Sequence, residues 1–289
     1  MLKNVQIYHM KILDFYAFRA NTKKESLLGK LNKQALIDLL MNLTNKDLFI
    51  KQELLLHLDH IAALSLAIDT LETLFTSGDV AEKNAEDSFR WVLAIAEEAV
   101  SSTFMARDKM KLFNLIFRHA TSALYSQWTD WRICLLFATA PLCSDLAIRN
   151  KLEAYIRKRQ KILWSSKHYI DERYQLQELQ HLLFESFDCK STAFLYMTQN
   201  LDNSRFRRTI IESAIENKQY GEALKLCFEG EAKDRGHVGL MRQWRFLRYA
   251  IYEASGDACA QRILALELFR EGNLQYYEKS RELIEQTSR

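Results

Sequence analysis

The sequence predicts an all-α protein, an α-solenoid of stacked helical hairpins winding into a right-handed superhelix. Three observations predict it. The 289 residues include one proline and eight glycines, too few for the turns of a sheet protein of this size. Apolar residues recur at intervals of three and four, the period of a helix face. Short polar breaks separate these runs, and several hold Gly followed by Asp or Asn, as at Gly78-Asp79, Gly256-Asp257 and Gly272-Asn273.

Composition bounds the reading further. Hydrophobic residues make up 48% of the chain and charged residues 27%, a composition that folds around a core rather than staying disordered. Forty basic against 37 acidic residues leave a net charge of +3, a weak field for nucleic acid or a membrane surface. No apolar run is long enough to span a bilayer, so no membrane partner is expected. The opening MLKNVQIYHMKILDF has neither the apolar core nor the cleavage site of a signal peptide. Five scattered cysteines, at 134, 143, 189, 227 and 259, argue against a disulfide framework and for a reducing cytoplasm.

Taken in order, residues 1–25 hold one helix anchored by Tyr and Phe, and Arg19 to Lys24 is a polar connection. Residues 26–60 read as a helical hairpin. Asn32 is its N-cap, Leu36, Leu39, Leu40 and Leu43 mark its first helix, and Thr44 to Asp47 breaks it. A DNA-reading helix-turn-helix would need a basic second helix, and only Lys51 is available, so the first pair of a stack is the favoured reading. Helices follow over His57–Ser77, Ser88–Ser101, Met110–Tyr125 and Trp128–Cys143, with Pro141 stopping or kinking the last. Leu146–Leu163, Tyr169–Phe187 and Ser191–Gln199 lead into the C-terminal part. About twelve helices result, in one continuous domain over 1–289. A softer seam is expected near 188–204, dividing 1–188 from 189–289.

The stretch from Phe206 to Tyr277 is the most regular. Leu240, Trp244, Leu247 and Ile251 form one helical stripe, with Arg242 nearly opposite. Arg248, one turn after Trp244, is placed to lie over its ring. Gly256 stands where a positive φ is needed, and Asp257 suits the N-cap of the next helix. Gly272 and Asn273 repeat the device. At the earlier break Asn217 takes the glycine's place. Ile263-Leu264-Ala265-Leu266 and Leu268-Phe269 are apolar on more than one face, as a helix held between neighbours requires.

Signals of chemistry are sparse. His57 and His60 with Asp59 would need a further ligand to hold a metal, so neither a metal nor another cofactor is expected. The cysteines sit among apolar neighbours and read as buried structural thiols. No nucleophile elbow, phosphate loop or dinucleotide fingerprint is present. Neighbouring acids such as Glu97-Glu98 diverge on a helix. Enzymatic activity is therefore not expected. Three basic clusters stand out: Arg157 to Lys161 beside Trp164, Arg205 with Arg207 and Arg208, and Arg242 with Arg245 and Arg248. Arg205, Arg208, Arg242, Arg245 and Arg248 are the candidate groove residues. Lined up, they could follow a phosphate backbone, but solvated helix faces account for them more simply.

Two resemblances add to this. Asn217 to Ala223, NKQYGEA, resembles the turn and second-helix start of a tetratricopeptide repeat, with Tyr220 and Ala223 at the positions where two helices approach. The spacing of 38 residues from Lys218 to Gly256 departs from that repeat's period of about 34, so the chain is tetratricopeptide-like rather than such an array. FRRTIIESAIENKQYGEALKLCFEGE (206–231), GLMRQWRFLRYAIYEASGD (239–257) and LALELFREGNLQYYEKSREL (264–283) resemble the helical region that follows the zinc module in bacterial SWIM zinc-finger proteins. Phe269, Gly272, Asn273, Tyr276 and Tyr277 are its most specific part, and residues 28–47 match more loosely. The zinc ligands of that family are not in this chain. The resemblance implies a cytoplasmic bacterial helical-repeat protein. The expected function is a non-catalytic scaffold that binds a protein or peptide, with nucleic-acid binding through the arginine and aromatic clusters as the alternative. Tyr220, Ala223, Trp244, Gly256, Asp257, Gly272, Asn273 and Tyr276 are expected to do architectural work.

Overall fold

The computed structural model describes residues 60–76, 82–102, 106–126, 128–164 and 170–287. The expected hairpin at 26–60 lies outside these bounds except for His60, which begins a helix, and so do His57 and the Gly78-Asp79 break. Among the described residues there are twelve α-helices and no strand. They are α1 (His60–Thr76), α2 (Glu82–Ser102), α3 (Ala106–Ala120), α4 (Thr129–Ala138), α5 (Leu146–Leu163), α6 (Ile170–Phe187), α7 (Lys190–Gln199), α8 (Ser204–Glu216), α9 (Tyr220–Lys233), α10 (Val238–Ser255), α11 (Ala258–Arg270) and α12 (Gln275–Thr287). No helix among the described residues is long and apolar enough to cross a membrane.

The chain divides into two compact units between Arg159 and Gln160, within α5. The seam expected near 188–204 falls inside the second unit, where α6 packs on α7 and α7 on α8.

In the first unit α1 lies against α2, and α4 against both α2 and α3. Leu64, Ile68 and Leu71 of α1, Phe113 and Ile116 of α3, and Leu135 and Leu136 of α4 are all buried. Phe89 stacks on Trp131 at 4.5 Å, and Trp131 stacks on Trp128 at 4.4 Å. The helix expected to run from Trp128 to Cys143 ends at Ala138. A short 3-10 turn, Ala140–Ser144, follows with Pro141 near its start. Proline has no N–H for the α-helical ladder, and its ring would meet the carbonyl one turn back. Asp145 then caps α5, its Oδ1 accepting from the backbone N–H of Ala147 (2.8 Å) and Ile148 (3.2 Å). Two polar ties, the first of them buried, help hold this unit. Arg132 donates to the Tyr125 carbonyl at 2.7 Å, and His119 Nδ1 lies 2.7 Å from Glu72 Oε1.

In the second unit each helix from α6 to α12 packs on the next along the chain, and α8 also touches α10. Ile211, Ala223, Cys227, Trp244 and Ile251 form the centre of one core, with Tyr220 and Leu247 against it. Leu264, Ala265, Leu268, Tyr249 and Tyr276 form a second. Leu240 and Leu247 are only half-buried, so the predicted stripe of α10 is buried at Trp244 and Ile251. Ile263 is exposed while Leu264 and Ala265 are buried. α11 therefore keeps Ile263 in solvent rather than being covered on all sides.

Three of the breaks in this unit are one motif. At the end of α10, Gly256 has φ 75°, its N–H donates to Glu253 O, and Asp257 N–H reaches back to Tyr252 O. At the end of α11, Gly272 has φ 93°, with the matching bonds to Phe269 O and, from Asn273, to Leu268 O. At the end of α8 the same two bonds run from Lys218 to Ile215 O and from Gln219 to Ala214 O. This is the Schellman closure, which satisfies helix-end carbonyls through one left-handed residue. At the first break that residue is Lys218, with φ 59°, and not the expected Asn217, whose φ is −84°. Asn217 instead donates its side-chain amide to Ser213 O at 2.8 Å. Asp257 caps α11 as expected, accepting from Ala260 N–H at 3.0 Å. Asn273 works backwards: its side-chain amide donates to Leu268 O of the helix it follows.

Candidate functional site

The five candidate arginines do not share one surface role. Arg205, at the start of α8, pairs with Glu178 of α6 at 2.6 Å, and Arg208 pairs with Glu212 one turn along α8 at 2.7 Å. Arg245 and Arg248 of α10 both reach Glu231 of α9, at 3.8 and 2.8 Å, and Arg245 also pairs with Glu271 at the end of α11. These two arginines and Glu231 are largely enclosed, so the group ties α9, α10 and α11 together. Arg248 lies 4.3 Å above the ring of Phe228, not above Trp244 as expected. Trp244 is fully buried, and its indole N–H donates to Asp234 at 2.8 Å. Arg242 is exposed and forms no ion pair with any described residue.

Arg207, grouped with its neighbours in the sequence, is buried. Its guanidinium donates to the carbonyls of Leu201 and Leu226, both at 3.1 Å, and reaches Glu229 at 3.4 Å. It pins the turn before α8 onto α9. The same turn is held from α6. Asn203 is almost wholly buried, caps α8 through Arg205 N–H, and donates to Tyr174 O, while Arg173 pairs with Asp202 at 2.8 Å.

Two of the five arginines come together. Between α8 and α10 lies an open groove of about 310 Å³ lined by Arg208, Gly239, Arg242, Gln243, Phe246 and Leu247. Phe246 and Leu247 make its apolar floor, and the two guanidinium groups belong to opposite helices. The floor is backed by a packed aromatic pair. Phe246 stacks on Tyr276 of α12 at 5.7 Å, and Tyr276 meets Tyr249 edge-on at 5.0 Å. Tyr276, expected to be architectural, thus supports the groove from behind. Gly239, Arg242, Gln243 and Phe246 are spaced by three, one and three residues. That spacing marks a second stripe on α10 beside the core stripe, and the sequence carries this signal. Arg208 is on another helix, and no spacing reveals its approach.

The cysteines divide. Cys143 and Cys227 are buried as expected, and burial pushes both thiols up to about 12. Cys189 and Cys259 are exposed, contrary to expectation. Cys189 stands just before α7, where Sγ is 3.0 Å from both Ser191 Oγ and Thr192 Oγ1. These hydroxyls bring the thiol down to about 7. All five cysteines are free. Among the described residues no three His, Cys, Asp or Glu side chains are grouped to hold a metal ion.

Comparison with protein-family models, with curated proteins and with solved structures gives no match to this chain.

Proposed function

We propose that the chain is a non-catalytic helical-repeat scaffold whose groove between α8 and α10 receives a segment of a protein or peptide partner. The observation that carries this reading is the groove itself: an apolar floor, an exposed guanidinium with no carboxylate partner among the described residues, and aromatic backing. Such a surface suits a docking segment, whose apolar side chain fills the cleft while its polar groups meet the rim.

The wider architecture we propose is the tetratricopeptide-like, right-handed solenoid. In a stack of helix pairs the first helices of successive pairs line one face, and the contact between α8 and α10 supports such an arrangement. The resemblance to the helical region of SWIM zinc-finger proteins belongs to the same proposal, as does a bacterial, cytoplasmic setting, which the free thiols support. Nucleic-acid binding is the weaker reading. Two of its five arginines, Arg245 and Arg248, are largely enclosed with Glu231, which reduces the positive field a phosphate backbone would meet.

A photo-cross-linking residue at Gln243, with another at exposed Lys225 as control, tests the function. Specific cross-links to polypeptide from position 243 alone are expected. Cross-links to nucleic acid would favour the second reading. Turnover of a small molecule, with no cross-link above the control, would reject the scaffold.

A further inference from the structure

We infer that the occupant of the α8–α10 groove is an acidic peptide segment, with a bulky apolar side chain between flanking carboxylates. This rests on the scaffold reading and adds the chemistry of the partner. The cleft of about 310 Å³ lies at the lower bound of small-molecule sites. It has room for one or two side chains and not for a large cofactor. Phe246 and Leu247 provide the contact for an apolar anchor, and Gly239, where a Cβ would meet nothing within 4 Å, leaves the groove open beside them.

Charge decides what flanks the anchor. Arg242 has no carboxylate among the described residues. Arg208 has only Glu212 on its own helix, and both side chains of that pair are about half exposed, at 55% and 43%. An exposed pair of this kind is weak and exchanges readily for an incoming carboxylate. Guanidinium matches carboxylate in a two-pronged geometry. The two arginines approach from opposite helices, so a carboxylate on each side of the anchor meets both. A phosphate backbone needs a longer row of free cations, and the neighbouring Arg245 and Arg248 are held in a largely enclosed group with Glu231.

The test uses the full chain and fluorescein-labelled ten-residue peptides on a Gly-Ser frame, read by anisotropy at low and moderate salt. The cores are Glu-Leu-Phe-Glu, Gln-Leu-Phe-Gln, Glu-Ser-Ser-Glu and Lys-Leu-Phe-Lys, with a ten-nucleotide oligothymidine alongside. The first peptide is expected to bind at least ten-fold more tightly than any other probe, and less tightly as salt rises. Arg242→Glu, at an exposed position, should cost it at least ten-fold and turn preference toward the lysine peptide. Lys225→Glu should change nothing. A melting temperature within a few degrees of wild type confirms that each variant is folded. Equal binding of the acidic and neutral peptides, no binding at millimolar peptide, or indifference to Arg242→Glu would overturn the inference. So would an Arg242-dependent preference for the oligonucleotide, or self-association of the chain that Arg242→Glu abolishes. If cross-links from position 243 still capture polypeptide while the acidic preference is absent, this inference falls and the scaffold reading stands.

Discussion

Gly230 of α9 lies directly beneath the indole of Trp244 of α10. A Cβ at Gly230 would stand 2.9 Å from Cδ2 and Cε2, the two carbons shared by the indole rings. The ring cannot retreat, because it is fully buried and its N–H is held by Asp234. Replacing a helical glycine with alanine ordinarily favours the helix by about 1 kcal/mol. Overpacking a closed core costs about 1–3 kcal/mol, and the clash should prevail. Gly230→Ala is expected to destabilise the fold by up to about 2 kcal/mol in chemical denaturation. Gly221→Ala in the same helix, with open space around it, should lie within about 0.5 kcal/mol of wild type or above it.

Lys218 closes α8 in a conformation that β-carbon sterics disfavour. Lys218→Gly should therefore stabilise the protein by about 0.5–1 kcal/mol. The reverse change at the equivalent break, Gly256→Ala, should destabilise it by about 1 kcal/mol. Urea midpoints for the two variants, moving in opposite directions, are the measurement.

The arginines of α8 should separate sharply. Arg207→Ala leaves the carbonyls of Leu201 and Leu226 short of a donor in a closed site and should cost about 2–4 kcal/mol. Arg208→Ala removes only an exposed pair and should cost about 0.5 kcal/mol or less. Parallel thermal melts distinguish the two.

His119 should make stability depend on pH. Burial lowers its pKa below 6.5 and Arg118 adds to this, while Glu72 and Asp69 pull the other way. Below pH 6.5 the unfolded imidazole takes up a proton that the folded one resists, so the unfolded state binds more protons. The contribution is whole above that pH and is lost as pH falls from 6.5 through the folded value. Denaturation at pH 7.5 and 5.5 should show a smaller drop in His119→Asn than in wild type.

Cys189 should be the most reactive thiol near neutrality. Its neighbours Ser191 and Thr192 hold it at about 7, so much of it is thiolate where Cys143 and Cys227, pushed up to about 12, are not. In a Cys259→Ser background, the pH at which labelling reaches half its maximal rate should rise when Ser191 and Thr192 are both replaced by alanine.

The all-helical class was legible because a helix repeats its environment every three or four residues, and that period is written in the chain. The bounds of α5, Leu146–Leu163, follow from it directly, as does the stop imposed by Pro141. The ends of α10 and α11 were legible because glycine is the residue that adopts a positive φ without cost. The end of α8 was misassigned. Asn217 is the better left-handed residue in isolation, yet the two closing bonds to Ala214 and Ile215 put Lys218 in that place. The arginines were legible as charges but not as roles. Nothing in the spacing of Arg205, Arg207 and Arg208 tells which one turns inward.

By itself the sequence determined that the chain is helical, the ends of α5, α10 and α11, and the burial of Trp244 and Ile251 on α10, because these depend on residues within a turn or two of one another. Only the tertiary structure decided that Gly230 makes room for Trp244, that Arg248 rests on Phe228, and that Arg208 and Arg242 flank a shared apolar floor. Each of those pairs joins different helices. The distance between them is set by how helices pack, and a linear pattern does not record it.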